Sequence, residues 1–295
     1  MNAPLYGCIE AGGTKFVAGI VAGPDDIRET IRIDTTSPGE TIGAVLDWFR
    51  AAEAKHGALS SMGIASFGPL ELDPDASNWG HITATTKPGW SNTDFAGIFA
   101  RELMLRVGFD TDVNGAALSE ARWGAGVGQK VSVYITVGTG IGGGAIIDGR
   151  VLHGLSHPEM GHIRPQRHSA DMDFAGICPF HGDCLEGLAS GPAIKARWGA
   201  SLSEMPVDHP AHGIIAFYLA QMVVTLQSIM EPGRVILGGG VMATPDLIDR
   251  VRNAASDLGS RYFRGNAHEI IVPPGLGDSA GLLGALALAQ DIAST

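Results

Sequence analysis

Cysteine is scarce, with three in 295 residues. That is too few for a disulfide framework and fits a reduced, cytosolic protein. Basic residues are also few, with 20 Lys and Arg against 31 Asp and Glu and a net charge of -11. This balance argues against nucleic acid or an anionic membrane as a partner. No uninterrupted apolar run approaches the ~18 residues of a membrane span. Met1-Asn2-Ala3-Pro4 lacks the basic and apolar regions of a secretory signal. No linker or low-complexity stretch divides the chain. Apolar residues make up 45%, enough for a sizeable core, and the length allows one large domain or two ordinary ones. Glycine is abundant, at 42 residues, and it is clustered. Clustered glycine points to backbone that binds a ligand.

The pattern repeats. Leu5–Glu10 reads as a strand, Ala11-Gly12-Gly13-Thr14-Lys15 as a turn, and Phe16–Val21 as the return strand. A third strand is expected near Thr30–Asp34. Ser37-Pro38-Gly39-Glu40 then carries helix-start signals, followed by Ile42, Val45, Leu46 and Phe49 at helical spacing. Met62–Phe67 reads as a buried strand, Leu70–Asn92 as irregular, Asp94–Val107 as a helix and Phe109–Asp112 as a strand. The second half repeats this start. Val131–Val137 is a strand, Gly138–Gly144 a glycine turn, Ala145–Ile147 the return strand, and Asp148-Gly149 a hairpin turn. A long apolar helix over 213–230 ends at Pro232-Gly233. Val235–Leu237 is a strand opening onto Gly238-Gly239-Gly240, and an alanine/leucine helix closes the chain.

Three glycine turns thus follow three short strands, and glycine lets backbone N–H groups approach anionic oxygens. Gly138-x-Gly140-x-x-Gly143 formally matches the dinucleotide fingerprint, but a strand follows it where that motif needs a helix. A Walker loop needs Lys-Ser/Thr after its glycines, which is absent. What remains is a nucleotide held by two strand–turn–strand hairpins, the layout of actin/hexokinase-type ATPases.

Phosphoryl transfer needs a group to take the hydroxyl proton. Asp112 lies where a strand gives way to a helix, which suits that task and suits a helix N-cap equally. Asp110 is its rival and reads as an exposed strand residue. Cys178-x-x-His181-x-x-Cys184 sets three metal ligands within seven residues, a strong signal for structural zinc. His153, His157, His162 and His168 compete for the fourth position. His157-x-Glu159-x-x-His162 could instead serve a zinc hydrolase, which would leave the glycine turns without a purpose. Cys8 reads as a small buried hydrophobe.

The ordered set of motifs resembles the ROK family of sugar kinases. Glu10-Ala11-Gly12-Gly13-Thr14-Lys15 is similar to its first phosphate motif and Val137–Gly144 to its second. Leu237-Gly238-Gly239-Gly240-Val241 is similar to its adenosine motif, and Pro158-Glu159-Met160-Gly161-His162 to its E-x-G-H signature. The matches run from residue 9 to residue 288. The segments His157–His162 and Cys178–Glu186 resemble the bacterial fructokinase branch. The resemblance implies an α/β, two-domain, ribonuclease H-like ATPase fold with a central cleft. The expected smaller domain is 1–115, joined by a C-terminal helix at 277–295, and the larger is 116–276. It implies transfer of the ATP γ-phosphoryl group to the 6-hydroxyl of fructose, with Mg²⁺ and a structural Zn²⁺. Asp112 aligns with the catalytic base. Glu159, His162, Glu186, Gly68 and Asn114 are implied sugar ligands. Gly12, Gly13, Thr14, Lys15, Gly138, Thr139, Gly140, Gly142, Gly239 and Gly240 are implied ATP contacts, and Glu10 reaches magnesium indirectly. His162 is the implied fourth ligand beside Cys178, His181 and Cys184. Relatives with glucose specificity have Asn before the base and in a second pocket segment; here these read Thr111 and Lys87-Pro88-Gly89-Trp90. A cytoplasmic homodimer is expected. ROK repressors carry an N-terminal DNA-binding module; with the first motif beginning at residue 10, no such module is expected here.

Overall fold

Small and β-branched residues from Leu5 onward build three antiparallel strands, β1 (Leu5–Ala11), β2 (Lys15–Gly23) and β3 (Asp26–Asp34). Helix α1 (Pro38–His56) starts where the Ser37 side chain accepts the Glu40 N–H, with Pro38 at its first position. Its stripe of Ile42, Val45, Leu46, Phe49 and Ala52 is buried. Truncating Phe49 to Ala would cost about 3–5 kcal/mol. Strand β4 (Leu59–Ser66) runs parallel to β1. Strands β5 (His81–Ile82) and β6 (Thr93–Asp94) form a small pair, and α2 (Phe95–Leu103) follows. The helix expected over Asp94–Val107 is therefore shorter. Met104 turns left-handed at φ 54°, and Val107 opens strand β7 (Val107–Thr111). Helix α3 (Asp112–Trp123) comes directly after β7.

The second half contains β8 (Val131–Val137), β9 (Ile141–Ile147), β10 (Arg150–Val151), α4 (Leu185–Ala189), α5 (Gly191–Trp198), α6 (Pro210–Met230) and β11 (Arg234–Gly238). It continues with α7 (Leu247–Gly259), α8 (Ala267–Ile270), β12 (Ile271–Val272) and α9 (Ala280–Ser294). The computed structural model describes residues 3–259 and 262–294.

The chain divides into two units. Unit 1 holds the residues up to Trp123, the short segment His153–His157 and those from Leu276 onward; unit 2 holds Gly124–Leu152 and Pro158–Gly275. The divide thus falls at 123/124 and 275/276, where the sequence reading has 115/116 and 276/277. The reason is packing. Helix α3 lies along α9, with the Ser119 hydroxyl donating to the Ala280 carbonyl at 2.8 Å. Residues 1, 2 and 295 of the expected smaller domain lie outside the described residues.

Each unit has one five-stranded sheet, ordered β3-β2-β1-β4-β7 in unit 1 and β10-β9-β8-β11-β12 in unit 2. In both, an antiparallel hairpin comes first and two parallel strands are added beside its first strand. The repeat seen in the sequence is thus a repeat of topology. In unit 1, α9 rests directly on β4. A Cβ on Gly63 would collide with the Ala285 carbonyl, so the helix can lie there only over glycine. The unit 1 core gathers Phe16, Phe49, Phe95, Phe99 and Trp90. The unit 2 core packs both sheet and helices around α6. Helix α6 is long and apolar enough to cross a membrane by length and composition, which the broken apolar runs of its sequence do not reveal. Eleven of its residues, from Ala211 to Leu226, are buried in that core.

Candidate active site and metal centre

In unit 1 the β1–β2 turn is closed by the Gly12 N–H donating to the Lys15 carbonyl at 3.0 Å. Its other carbonyls are all engaged. Thr35 donates its hydroxyl to Gly12 at 2.8 Å and its N–H to Thr14 at 2.9 Å, and Lys87 Nζ donates to Gly13 at 2.6 Å. The N–H groups of Gly13 and Thr14 meet no acceptor among the described residues. A turn whose carbonyls are pinned back and whose amides stay open is an anion-binding nest. Glu10 lies at the end of β1 beside this turn. Burial raises its carboxyl above the ordinary value, against the opposing pull of Lys15 and Arg32.

Asp112 is half-buried at the first position of α3, with its Oδ1 accepting the Val113 N–H at 2.9 Å. It is not the helix cap. Thr111 does that, its hydroxyl accepting the Asn114 N–H at 3.1 Å. The cap explanation for Asp112 therefore passes to its neighbour. Asp110 corrects the sequence reading. It is 3% exposed, a buried anchor rather than an exposed strand residue. Its Oδ1 accepts from the Thr111 N–H and from Asn114 Nδ2, both at 2.7 Å, and its Oδ2 pairs with His153 Nε2 at 2.8 Å. The bond to Asp110 raises the His153 imidazole above its ordinary value. Asn114 is buried, and its Oδ1 has no partner among the described residues. Because Asp110 accepts from the amide nitrogen, that oxygen remains an acceptor for an incoming donor. Gly68 follows β4 within the same unit, and His157 Nε2 accepts the Leu70 N–H at 3.2 Å nearby.

In unit 2 the β8–β9 turn closes with the Gly138 N–H donating to the Gly140 carbonyl at 2.8 Å, while the Gly191 N–H takes the Gly138 carbonyl at 2.8 Å. Thr139 is exposed at the tip, and Gly142 lies in β9. A Glu186 carboxylate oxygen accepts the Ile141 N–H at 2.9 Å and so ties α4 to this turn. Gly239 and Gly240 are exposed directly after β11.

Four ligand atoms converge in the same unit. His162 Nδ1, Cys178 Sγ, His181 Nδ1 and Cys184 Sγ all lie within 4.8 Å of one another. The two histidine nitrogens are 3.3 Å apart, and nitrogen–sulfur separations are 3.4 Å and 3.8 Å. Ordinary zinc bond lengths give tetrahedral edges of about 3.4 Å between nitrogens and about 3.6 Å between nitrogen and sulfur. The four side chains fit that ion. The fourth member of this cluster is His162; His153 and His157 belong to unit 1, and His168 Nδ1 accepts the Ala170 N–H. The sulfurs are buried, and burial pushes the Cys184 thiol up to about 11. Metal binding there releases a proton and weakens with acid. His162 turns its other nitrogen, Nε2, toward Glu159, 4.0 Å from Oε2. Gly161 makes this possible, since a Cβ there would overlap the Ile141 carbonyl.

The sequence family model of ROK proteins matches residues 6–292. The chain belongs to the ROK family. It is 51% identical to the fructokinase of Zymomonas mobilis over 289 residues, spanning 97% of this chain and 96% of that one. A ROK hexokinase from Thermus thermophilus aligns with a TM-score of 0.80 at 26% identity, over 97% of this chain and 98% of the other. A ROK family glucokinase from Streptomyces griseus, solved in complex with glucose and AMPPNP, aligns with a TM-score of 0.73 at 26% identity, over 97% and 99%. The mixed α/β, hexokinase-type ATPase fold expected from the motifs is the fold of these neighbours.

Within this ROK chain, the structure brings Asp112 and Asn114 together in unit 1. It brings Glu159, His162, Glu186 and the metal ligands together in unit 2. Sequence reasoning missed the Asp110–His153 pair, the brace from Lys87 to Gly13, and the buried network in which Tyr218 and Arg197 hold Asp171. No local signal marks these residues, because each partner lies tens of positions away.

Proposed function

We propose that this protein is an ATP-dependent hexose kinase that transfers the ATP γ-phosphoryl group to the 6-hydroxyl of fructose. The observation that carries the reading is 51% identity to a fructokinase across nearly the whole of both chains. Asp112 accepts the proton from the sugar hydroxyl as it attacks, the role a half-buried carboxylate at a strand–helix junction can fill. Asn114 offers its spare amide oxygen to a sugar hydroxyl. Glu159, His162 Nε2 and Glu186 orient others, and carboxylates suit this because each oxygen can accept hydroxyl donors. Gly68 backbone completes the sugar contacts. The open amides of Gly13 and Thr14, with Gly12 and Lys15 beside them, receive phosphate oxygens. Gly138, Thr139, Gly140 and Gly142 do the same from the second turn, and Gly239 and Gly240 accept the adenosine portion. Glu10 would hold magnesium through water, and magnesium when bound would neutralise phosphate charge. The His162, Cys178, His181 and Cys184 set would hold a structural zinc, since four protein ligands would leave no open position; so held, His162 would be fixed beside Glu186 through the Cys184–Leu185–Glu186 run.

Fructose is favoured over glucose because Thr111 spends its hydroxyl on the α3 cap and offers no amide to a glucopyranose. The segment Lys87–Trp90 likewise presents no asparagine. A lost hydrogen bond from a polar group costs about 1–3 kcal/mol, which is about tenfold or more in discrimination. Mannose is the expected secondary acceptor. The protein works in the cytoplasm as a homodimer, as the family resemblance implies, and sedimentation reads its assembly. A coupled ADP-release assay with fructose, mannose, glucose and N-acetylhexosamines tests the reading. Fructose should give the highest kcat/KM. Glucose at or above fructose overturns the substrate, and ADP release independent of any sugar overturns the kinase.

A further inference from the structure

Lys87 is the one cation seen to donate to the carbonyls of the first glycine turn among the described residues. Its Nζ donates to the Gly13 carbonyl at 2.6 Å and to the Thr35 carbonyl at 3.3 Å. An ammonium has three donors, so one N–H remains. No carboxylate of the described residues lies within ion-pair distance of it, so its positive charge has no anionic partner there. The neighbouring Trp90 fixes the position. Its ring is fully buried against Phe16 and Phe95, and its Nε1 donates to the Thr36 carbonyl at 2.8 Å. The lysine is therefore delivered to the turn by a rigid anchor three residues away. Thr85 adds to this, its hydroxyl accepting the Lys87 N–H at 3.3 Å.

A plain surface lysine would spend its charge on water or on an acidic neighbour. This one holds back a carbonyl whose dipole would repel an anion approaching the open Gly13 and Thr14 amides. We infer that Lys87 is a phosphate-binding residue of this site: it pins the Gly13 carbonyl and directs its remaining N–H and its charge at the nucleotide's phosphate oxygens, those that ADP retains included. The inference rests on the proposed kinase activity for the identity of the anion. A compact ammonium suits this task, as a point charge beside the turn's open amides.

The test compares Lys87→Gln, Lys87→Met and Lys87→Arg in the full-length protein. Gln keeps a donor for the Gly13 carbonyl without the charge, and Arg keeps both. Steady-state rates with fructose and MgATP are measured beside calorimetric binding of ADP and of adenosine. The Gln and Met variants should lose about 10–100-fold in kcat/KM for ATP, the share of a hydrogen bond to a charged group. Fructose KM should change little, and Arg should recover most of the loss. ADP binding should weaken in the Gln variant while adenosine binding stays unchanged. A Gln variant with wild-type kcat/KM and ADP affinity would overturn the inference and leave Lys87 a neutral brace. So would equal weakening of ADP and adenosine. If the Met variant misfolds, the Gln-to-Arg comparison decides. If wild-type protein shows no sugar-dependent ADP release, the kinase reading fails separately; the ADP-against-adenosine comparison still judges Lys87, because it needs no turnover.

Discussion

The two glycine hairpins have the same place in sheets of the same strand order, yet they are held by opposite charges. The β1–β2 turn is pinned through its carbonyls, by Lys87 and Thr35. The β8–β9 turn is pinned at an amide, by the Glu186 carboxylate on Ile141. Either device leaves the tip of its turn exposed. The difference lies in what each brace is connected to. Lys87 belongs to the same unit as Asp112, the proposed base. Glu186 lies two residues from Cys184 of the His/Cys cluster and five from Gly191 at the start of α5, whose N–H takes the Gly138 carbonyl. Unit 1 thus braces its turn in the unit that holds the proposed base, and unit 2 ties its turn to the helix that follows the His/Cys cluster.

Removing the acceptor from unit 1 should have the largest effect. Asp112→Asn preserves size and can still accept the Val113 N–H, so the helix start survives. Its kcat should fall by roughly 10²–10⁴, the usual contribution of a positioned base. Fructose KM should change far less. Asp110→Asn sharpens the contrast: it strips charge from a buried carboxylate with three partners, and should lower stability more than kcat.

Breaking the metal set in unit 2 comes next. Cys184→Ala should abolish stoichiometric zinc, measured by elemental analysis, and lower thermal stability and turnover together. A variant that kept full stability and activity would separate the metal from the sugar segment. Glu186→Ala should act more gently. It leaves the Ile141 amide unpaired, at a cost of about 1–3 kcal/mol in denaturant unfolding, and it should raise KM for both ATP and fructose, since one carboxylate serves both sides of the link.

How much of this is legible in the sequence depends on distance along the chain. The three metal ligands at 178, 181 and 184 stand within one turn-rich loop, so their spacing alone reveals them. The glycine turns follow strands directly, and both sheets inherit that order. Asp110 fails for the opposite reason. Its burial is created by His153, 43 positions away, and nothing in Phe109-Asp110-Thr111 announces it. Lys87 and Gly13 are 74 positions apart. The end of α2 is misjudged because Leu103, Leu105 and Val107 satisfy a helical and an extended pattern alike, and a left-handed Met104 decides between them. The assignment of His153–His157 to unit 1 is set by contacts to Asp110 and Leu70, which no composition shift marks.

The smallest expected effect is one of sign. Burial raises the Glu10 carboxyl, so the fold penalises its charged form. That penalty is full above the raised folded value and gone below the unfolded value near ~4.3. Glu10→Gln should therefore be more stable than wild type at neutral pH, with the gap closing as pH falls through that window. Activity should drop, because this buried carboxylate is the one proposed to reach magnesium. Thermal melts from pH 7 to pH 4 read the gap.

The central claim is that the protein delivers the ATP γ-phosphoryl group to a primary hydroxyl of fructose. Phosphorus NMR of the product, with carbon assignment of the phosphorylated position, tests it most directly. With MgATP and fructose, the expected outcome is fructose 6-phosphate formed in step with ADP, and none formed by Asp112→Asn on the same timescale. Inorganic phosphate in place of sugar phosphate, or phosphate on another carbon of fructose, would contradict it.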